Sequence, residues 1–132
     1  TQTNSGTTVQ EMRLTAAECA ARANDLTTAL SHLNQLRRNR YTGTPVESRD
    51  FNSTNQAEVI KEVLAERRRE LPFNGLRSFD MRRLDMENRM PTITRTNAQN
   101  TVIATLEPHS SKYTLQIPIQ VLVFNPDMPQ NP

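Results

Sequence analysis

The residues able to do chemistry in this chain are few, and most of them are arginines and carboxylates. From Ala65 to Arg83 the sequence reads AERRRELPFNGLRSFDMRR, which holds six of the chain's fourteen arginines in nineteen residues. The formal charge of the whole chain is only +2. A local excess of this kind serves a nucleic-acid surface, a ligand site or internal pairing. Arginine's rigid fork suits paired, partly buried contacts with carboxylates, whereas lysine suits solvated surfaces. The chain has two lysines, Lys61 and Lys112, and fourteen Asp and Glu that can serve as partners. Pairing is therefore the expected use. Phosphate-backbone binding needs a clustered, unpaired excess, for which +2 is weak support, and no nucleic-acid partner is expected.

Catalytic patterns are scarce. Glu66 and Glu70 share a helix face, as a glycosidase pair might, but flanking arginines leave neither with the proton a general acid needs. His32 falls on the polar side of a helix and His109 follows Pro108 in a loop, neither with a readable nucleophile or metal partner. No glycine-rich phosphate loop and no zinc spacing occurs, so no enzyme, cofactor or metal is expected. Cys19 is the only cysteine, which excludes an intrachain disulfide. No apolar segment precedes it, so it reads as a buried small hydrophobe rather than a lipid-attachment residue. Asn52-Ser53-Thr54 matches a glycosylation sequon of the kind common by chance. Sugar sites use exposed aromatic platforms, and this chain has no Trp and six aromatics. Phe73 and Phe79 are expected in core positions at helix ends, Phe124 in an apolar tail, and Tyr41, Phe51 and Tyr113 in loops. No ligand-binding residue is assigned.

The elements that must position these residues are mainly helical. Apolar residues make up 35% and the mean hydropathy is −0.69, too poor for a thick core. No apolar run approaches a membrane span, and the polar opening TQTNSGTT reads as internal or processed. Thr8 to Glu11 form a capping box. Met12, Ala16, Cys19, Ala20 and Ala23 follow at helical spacing. Asn24-Asp25 breaks that pattern and caps a second helix whose face is Leu26, Ala29, Leu30, Leu33 and Leu36. Residues 9–38 thus predict a tetratricopeptide-like helical hairpin, small residues against leucines. A single unit of this type cannot bury its outer faces, so further repeats are expected upstream. Residues 39–55 read as a loop. Asn55 then caps a third helix with Val59, Ile60, Val63 and Leu64 inward, and Pro72 ends it. Asn74-Gly75 makes a turn into a shorter helix, Leu76 to Met86, so 56–86 is an arginine-rich helix pair. Residues 87–112 look polar and irregular, and the tail is proline-rich. Ile117, Ile119, Val121 and Val123 alternate as a strand would, while Pro118 equally suits the first position of a short helix.

At 100° per residue, Arg67, Arg68 and Arg69 fan across about 200° and cannot form one basic face. Arg67 shares the side of Val63 and Leu64, so its guanidinium is expected to be partly buried and in need of a partner. Glu66–Arg69 and Arg67–Glu70 are i,i+3 pairs worth a few tenths of a kcal/mol where exposed. Asp80, amid Arg77, Arg82 and Arg83, is the better acceptor for Arg67, with Phe79 facing the core beside Leu64 and Leu71.

These residues carry a resemblance. Glu66 to Arg83 is similar to the signature of the SusD/RagB family: an arginine-rich helix with Arg67, an aromatic-x-Gly turn at Phe73 and Gly75, then Arg77, Phe79, Asp80, Arg82 and Arg83. The tail resembles the family's ending at Tyr113, Ile117-Pro118, Asn125-Pro126 and Gln130-Asn131-Pro132, although Gln116 and Val121-Leu122 depart from the usual pattern. The hairpin fits the family's tetratricopeptide-like scaffold. The resemblance implies that residues 1–132 are the C-terminal portion of a non-enzymatic, cell-surface lipoprotein of the outer membrane, anchored by a lipid upstream. It implies a SusC-like TonB-dependent transporter as partner in carbohydrate uptake and polysaccharide utilisation. An oligosaccharide would be held mainly by upstream parts, and residues 118–124 would form a short helical turn. The alternative is a free-standing tetratricopeptide-like protein-interaction module with no glycan role.

Overall fold

Three side-chain caps start the first three helices. In the computed structural model, which describes residues 6–131, Thr8 Oγ1 accepts the Glu11 amide at 3.2 Å and opens α1 (Val9–Arg22). Thr1 to Ser5, and Pro132 at the end of the tail motif, lie outside the described residues. Asp25 accepts from the Thr28 amide and opens α2 (Leu26–Arg37), with Asn24 left-handed at φ 62 in the turn before it. Asn55 accepts from the Ala57 and Glu58 amides and opens α3 (Gln56–Glu70). Each cap satisfies amide donors that a helix start leaves without partners.

The chain divides into two compact units, Thr1–Asn74 and Gly75–Pro132. In the first, α1, α2 and α3 all pack against one another. The core is Leu14, Ala17 and Ala21 of α1, Ala29, Leu33 and Leu36 of α2, and Val59, Ile60 and Val63 of α3. Leu64 is only half-buried. Fully burying a residue such as Leu14 or Leu33 is worth about 1.5–3 kcal/mol. The buried face of α1 is not the expected one: Met12 and Cys19 are exposed, and Ala16 and Ala20 are half-buried. The alanines, Ala16, Ala17, Ala20 and Ala21, spread over an arc of about 140° and do not say which edge of it turns inward, so the single leucine decides. Ala17, Glu18 and Ala21 then follow Leu14 at i+3, i+4 and i+7.

The 39–55 segment contains a 3-10 turn, Val46–Arg49. It is tied down by side chains: the Asn34 amide donates to Phe51 O at 3.0 Å and accepts from Phe51 N at 2.8 Å. Arg49 donates to the Gly43 carbonyl through Nε and Nη2 and to the Arg38 carbonyl through Nη1.

The second unit begins with α4 (Arg77–Met86). Residues 87–132 are more ordered than their composition suggests. Strands β1 (Ile93–Thr96) and β2 (Val102–Leu106) pair antiparallel, Ile93 opposite Leu106 and Arg95 opposite Ala104, with an irregularity at Thr96. The β-branched runs favour extended backbone. Asn97 Oδ1 closes the turn between them by accepting the Gln99 and Thr101 amides at 2.9 Å. Both strands are largely exposed, which removes the apolar alternation that marks a half-buried strand. A 3-10 turn (Ser111–Tyr113) precedes α5 (Ile119–Phe124), so the tail is helical after Pro118 and not a strand. Gln130 then clasps the Ile117 backbone in both directions, and Asn131 donates to Leu115 O at 2.9 Å. Among the described residues no helix is long and apolar enough to cross a membrane.

Candidate functional site

The densest polar cluster in the first unit centres on Glu66. This residue is only 2% exposed, although it sits one turn from the helix end among three arginines. Its carboxylate accepts from Arg37 Nη1 at 2.9 Å and Arg69 Nη1 at 2.8 Å. The Tyr41 hydroxyl donates into the same carboxylate at 3.1 Å from either oxygen. Glu62, one turn earlier, receives the same two arginines at 2.8 and 3.1 Å. Arg37 also lies over the Tyr41 ring, 4.5 Å from its centroid, a cation–π contact. Arg37 Nε donates to the Arg49 carbonyl at 3.0 Å. One guanidinium therefore joins the end of α2, the 39–55 segment and α3.

The expected Glu66–Arg69 pair is present, but it is one edge of this network rather than an isolated surface pair. Glu70 is gripped by Arg40 through Nε and Nη2, and Asp50 by Arg38 at 2.5 and 2.8 Å. The Arg38 fork holds the Asp50 carboxyl below its ordinary value, chiefly by hydrogen bonding, and raises Arg38 in return. Arg67 is buried, 9% exposed, and donates from Nη1 to Thr15 Oγ1 on α1 at 3.3 Å. The sequence foresaw this burial. It missed Arg37, Tyr41 and Glu62, whose only local signal is the Glu62, Glu66, Arg69 spacing along one helix face.

The rest of the signature turn and helix is less inward than expected. Phe73 is 104% exposed, with φ 64, and is not a core residue. Gly75 takes φ 73, the left-handed backbone that glycine adopts without steric cost. On α4, Asp80, Leu84 and Asp85 form the buried face. Phe79, expected in a core position, is 71% exposed. It sits about 100° from Asp80 and 140° from Leu84 around the helix, off the buried face. Asp80 accepts from Arg83 Nε at 2.9 Å, one turn on. Arg67 and Asp80 belong to different units. Arg77 is half-buried and Arg82 exposed.

A shallow groove of about 410 Å³ runs along the outer side of α2, lined by Thr27, Leu30, Ser31 and Arg38 among others. Its ionic groups, Arg38 and Asp50, are paired with each other. His32 is half-buried on α2, and the described residues contain no group of His, Cys, Asp and Glu able to hold a metal. The Glu66 cluster pins α2, the 39–55 segment and α3 together. Compared with known proteins, residues 9–132 match the family model described as the SusD family. No curated protein and no solved structure gave a match.

Proposed function

The chain belongs to the SusD family, and from that premise we propose that it forms the C-terminal scaffold of a cell-surface nutrient-binding lipoprotein. Proteins of this family are non-catalytic binding proteins, and membership is consistent with a nutrient-binding role at the outer membrane. The match over residues 9–132 is the observation that carries the proposal. In this reading residues 1–132 act as one C-terminal portion, and the α1–α2 hairpin with α3 against it is a tetratricopeptide-like unit. The signature residues Arg67, Phe73, Gly75, Arg77, Phe79, Asp80, Arg82 and Arg83 are structural. The oligosaccharide is held by upstream parts of the full-length protein, and a SusC-type TonB-dependent transporter is the partner.

Two measurements test the reading. A tagged full-length protein solubilised from native outer membranes should copurify with a TonB-dependent transporter, and recovery without one refutes the partnership. Titration calorimetry of the 132-residue chain against a panel of oligosaccharides should show no binding. A micromolar complex would place the ligand site within this portion instead.

A further inference from the structure

The turn ahead of α4 holds a reactive pair that the scaffold role leaves unused. Of the chain's asparagines, Asn74 alone precedes a glycine. Asn74 and Gly75 are both exposed. Neither the Asn74 side-chain amide nor the Gly75 backbone N–H has a hydrogen-bond partner among the described residues. Gly75 lies at φ 73, and the space that a Cβ would fill there is open, with no heavy atom within 4 Å. Intramolecular attack needs a side-chain carbonyl, an unbonded main-chain nitrogen next in sequence, and no Cβ to crowd their approach. The other asparagines lack one or more of these. Asn34 is locked to the Phe51 backbone, Asn55 accepts main-chain amides, and Asn125 precedes a proline, which has no N–H. Asn52 is also exposed, but its neighbour Ser53 carries a Cβ.

We propose that Asn74-Gly75 is a self-modifying site, which converts its side-chain amide to a carboxylate with water as the co-reactant. The Gly75 nitrogen gives its proton to hydroxide and attacks Asn74 Cγ. A bond forms between that nitrogen and Cγ, the Cγ–Nδ2 bond breaks, and Nδ2 leaves as ammonia with a proton from solvent. The product is a cyclic imide, a succinimide. Water then opens the ring at either carbonyl; its oxygen stays on the carbon and the ring nitrogen recovers a proton. Opening at Cγ leaves an aspartyl residue. Opening at the main-chain carbonyl leaves an isoaspartyl residue, whose chain runs through Cβ and Cγ and is longer by a methylene. Nothing is oxidised or reduced. Either product carries a new carboxylate and lowers the formal charge from +2 by a unit. The charge appears just ahead of α4, whose N-cap Leu76 supplies no side-chain hydrogen bond, at the helix end that favours an anion. The turn thus changes its charge, and in the isoaspartyl form its main-chain length, with time in water.

Incubation of the full chain in mildly alkaline buffer, followed by tryptic peptide mass mapping, tests the site. Cleavage after Arg69 and Arg77 isolates residues 70–77. That peptide should gain the mass difference between a hydroxyl and an amino group, faster in alkaline than in mildly acidic buffer. Part of the product should be isoaspartyl, read by isoaspartyl methyltransferase labelling. The rate should lie within about five-fold of that of a synthetic 70–77 peptide, because the fold neither shields nor holds the pair. Gain at Asn52 should be roughly ten-fold slower, the effect of a Cβ on a closely oriented attack. Asn74→Gln moves the carbonyl away by a methylene at an exposed position, and should show no gain over the same period. No gain in the 70–77 peptide, a folded-chain rate more than about five-fold below that of the free peptide, or aspartyl product without isoaspartyl overturns the proposal.

Discussion

Glu66 offers the sharpest test of what holds this protein together. Replacing it with glutamine keeps the shape and one acceptor oxygen while removing the charge. In the native protein the carboxylate, 2% exposed, meets Arg37 at 2.9 Å, Arg69 at 2.8 Å and the Tyr41 hydroxyl at 3.1 Å. A hydrogen bond to a charged group contributes about 1.5–3 kcal/mol. Two such bonds weaken here, but Arg37 and Arg69 both retain Glu62 at 2.8 and 3.1 Å. The expected loss for Glu66→Gln is therefore about 2–3 kcal/mol rather than the full sum. Glu66→Ala removes the acceptors outright and leaves the half-buried Arg37 short of a partner, which raises the loss to about 3–5 kcal/mol.

Glu62→Gln supplies the internal control. Glu62 is 22% exposed and touches the same two arginines, so its loss should stay below about 1 kcal/mol. Urea unfolding followed by circular dichroism reads all three variants, and the slope should be unchanged. The Glu66 effect should persist in about 1 M salt, where exposed pairs are screened within about 3 Å. A double-mutant cycle of Glu66→Gln with Arg37→Met should return a coupling of about 1–3 kcal/mol. If Glu66→Gln and Glu62→Gln cost the same, both under about 1 kcal/mol, burial of Glu66 is not organising the cluster and the reasoning fails.

Two further outcomes follow from the same geometry. Asp50, whose carboxyl is held below the ordinary value of 3.8 by the Arg38 fork, contributes stability that is present above that value and fades as pH falls through the lower folded one. Asp50→Asn should accordingly destabilise at neutral pH and converge with the parent in strong acid; a difference that stays constant down to acid would mean the fork does not form in solution. Phe73 spends no contact on the core and sits at φ 64, so Phe73→Gly should raise stability by about 0.5–1 kcal/mol, the left-handed strain relieved less the added freedom of the unfolded chain. A loss in thermal or urea unfolding would show that the ring has contacts of its own.

The helices were legible because their signals are local. Thr8, Asp25 and Asn55 each sit at a helix start, and a cap is read within three residues. The inward face of α1 was not legible, since alanine fits either side of a helix and Leu14 alone points it. The β1–β2 hairpin was hidden for a different reason: exposed strands of Thr, Ile, Val and Arg lack a buried face to set the alternation. Apolar character alone points Phe79 inward and does not define the inner side of α4. The helix buries Asp80 and Asp85 with Leu84. Half of the candidate cluster was readable, the Glu66–Arg69 spacing. The other half, Arg37 and Tyr41, is brought in by tertiary structure from twenty-five residues or more away.

The arginine excess is explained by where the guanidinium groups of α3 point. Arg67 turns inward to Thr15 of α1, Arg69 turns sideways to Glu62, Glu66 and Tyr41, and Arg68 is exposed. That division is what 100° per residue requires of three consecutive arginines. The apolar core of this unit is small and rich in alanine, so van der Waals packing alone fixes the helices weakly against sliding. A guanidinium with five donors in a rigid plane has few acceptable positions, and Arg37 must meet Glu62, Glu66, the Arg49 carbonyl and the Tyr41 ring at once. Such a set of contacts is satisfied in one register of α2 against α3 and broken by a shift of a single turn. The arginines therefore give a thin core a defined geometry.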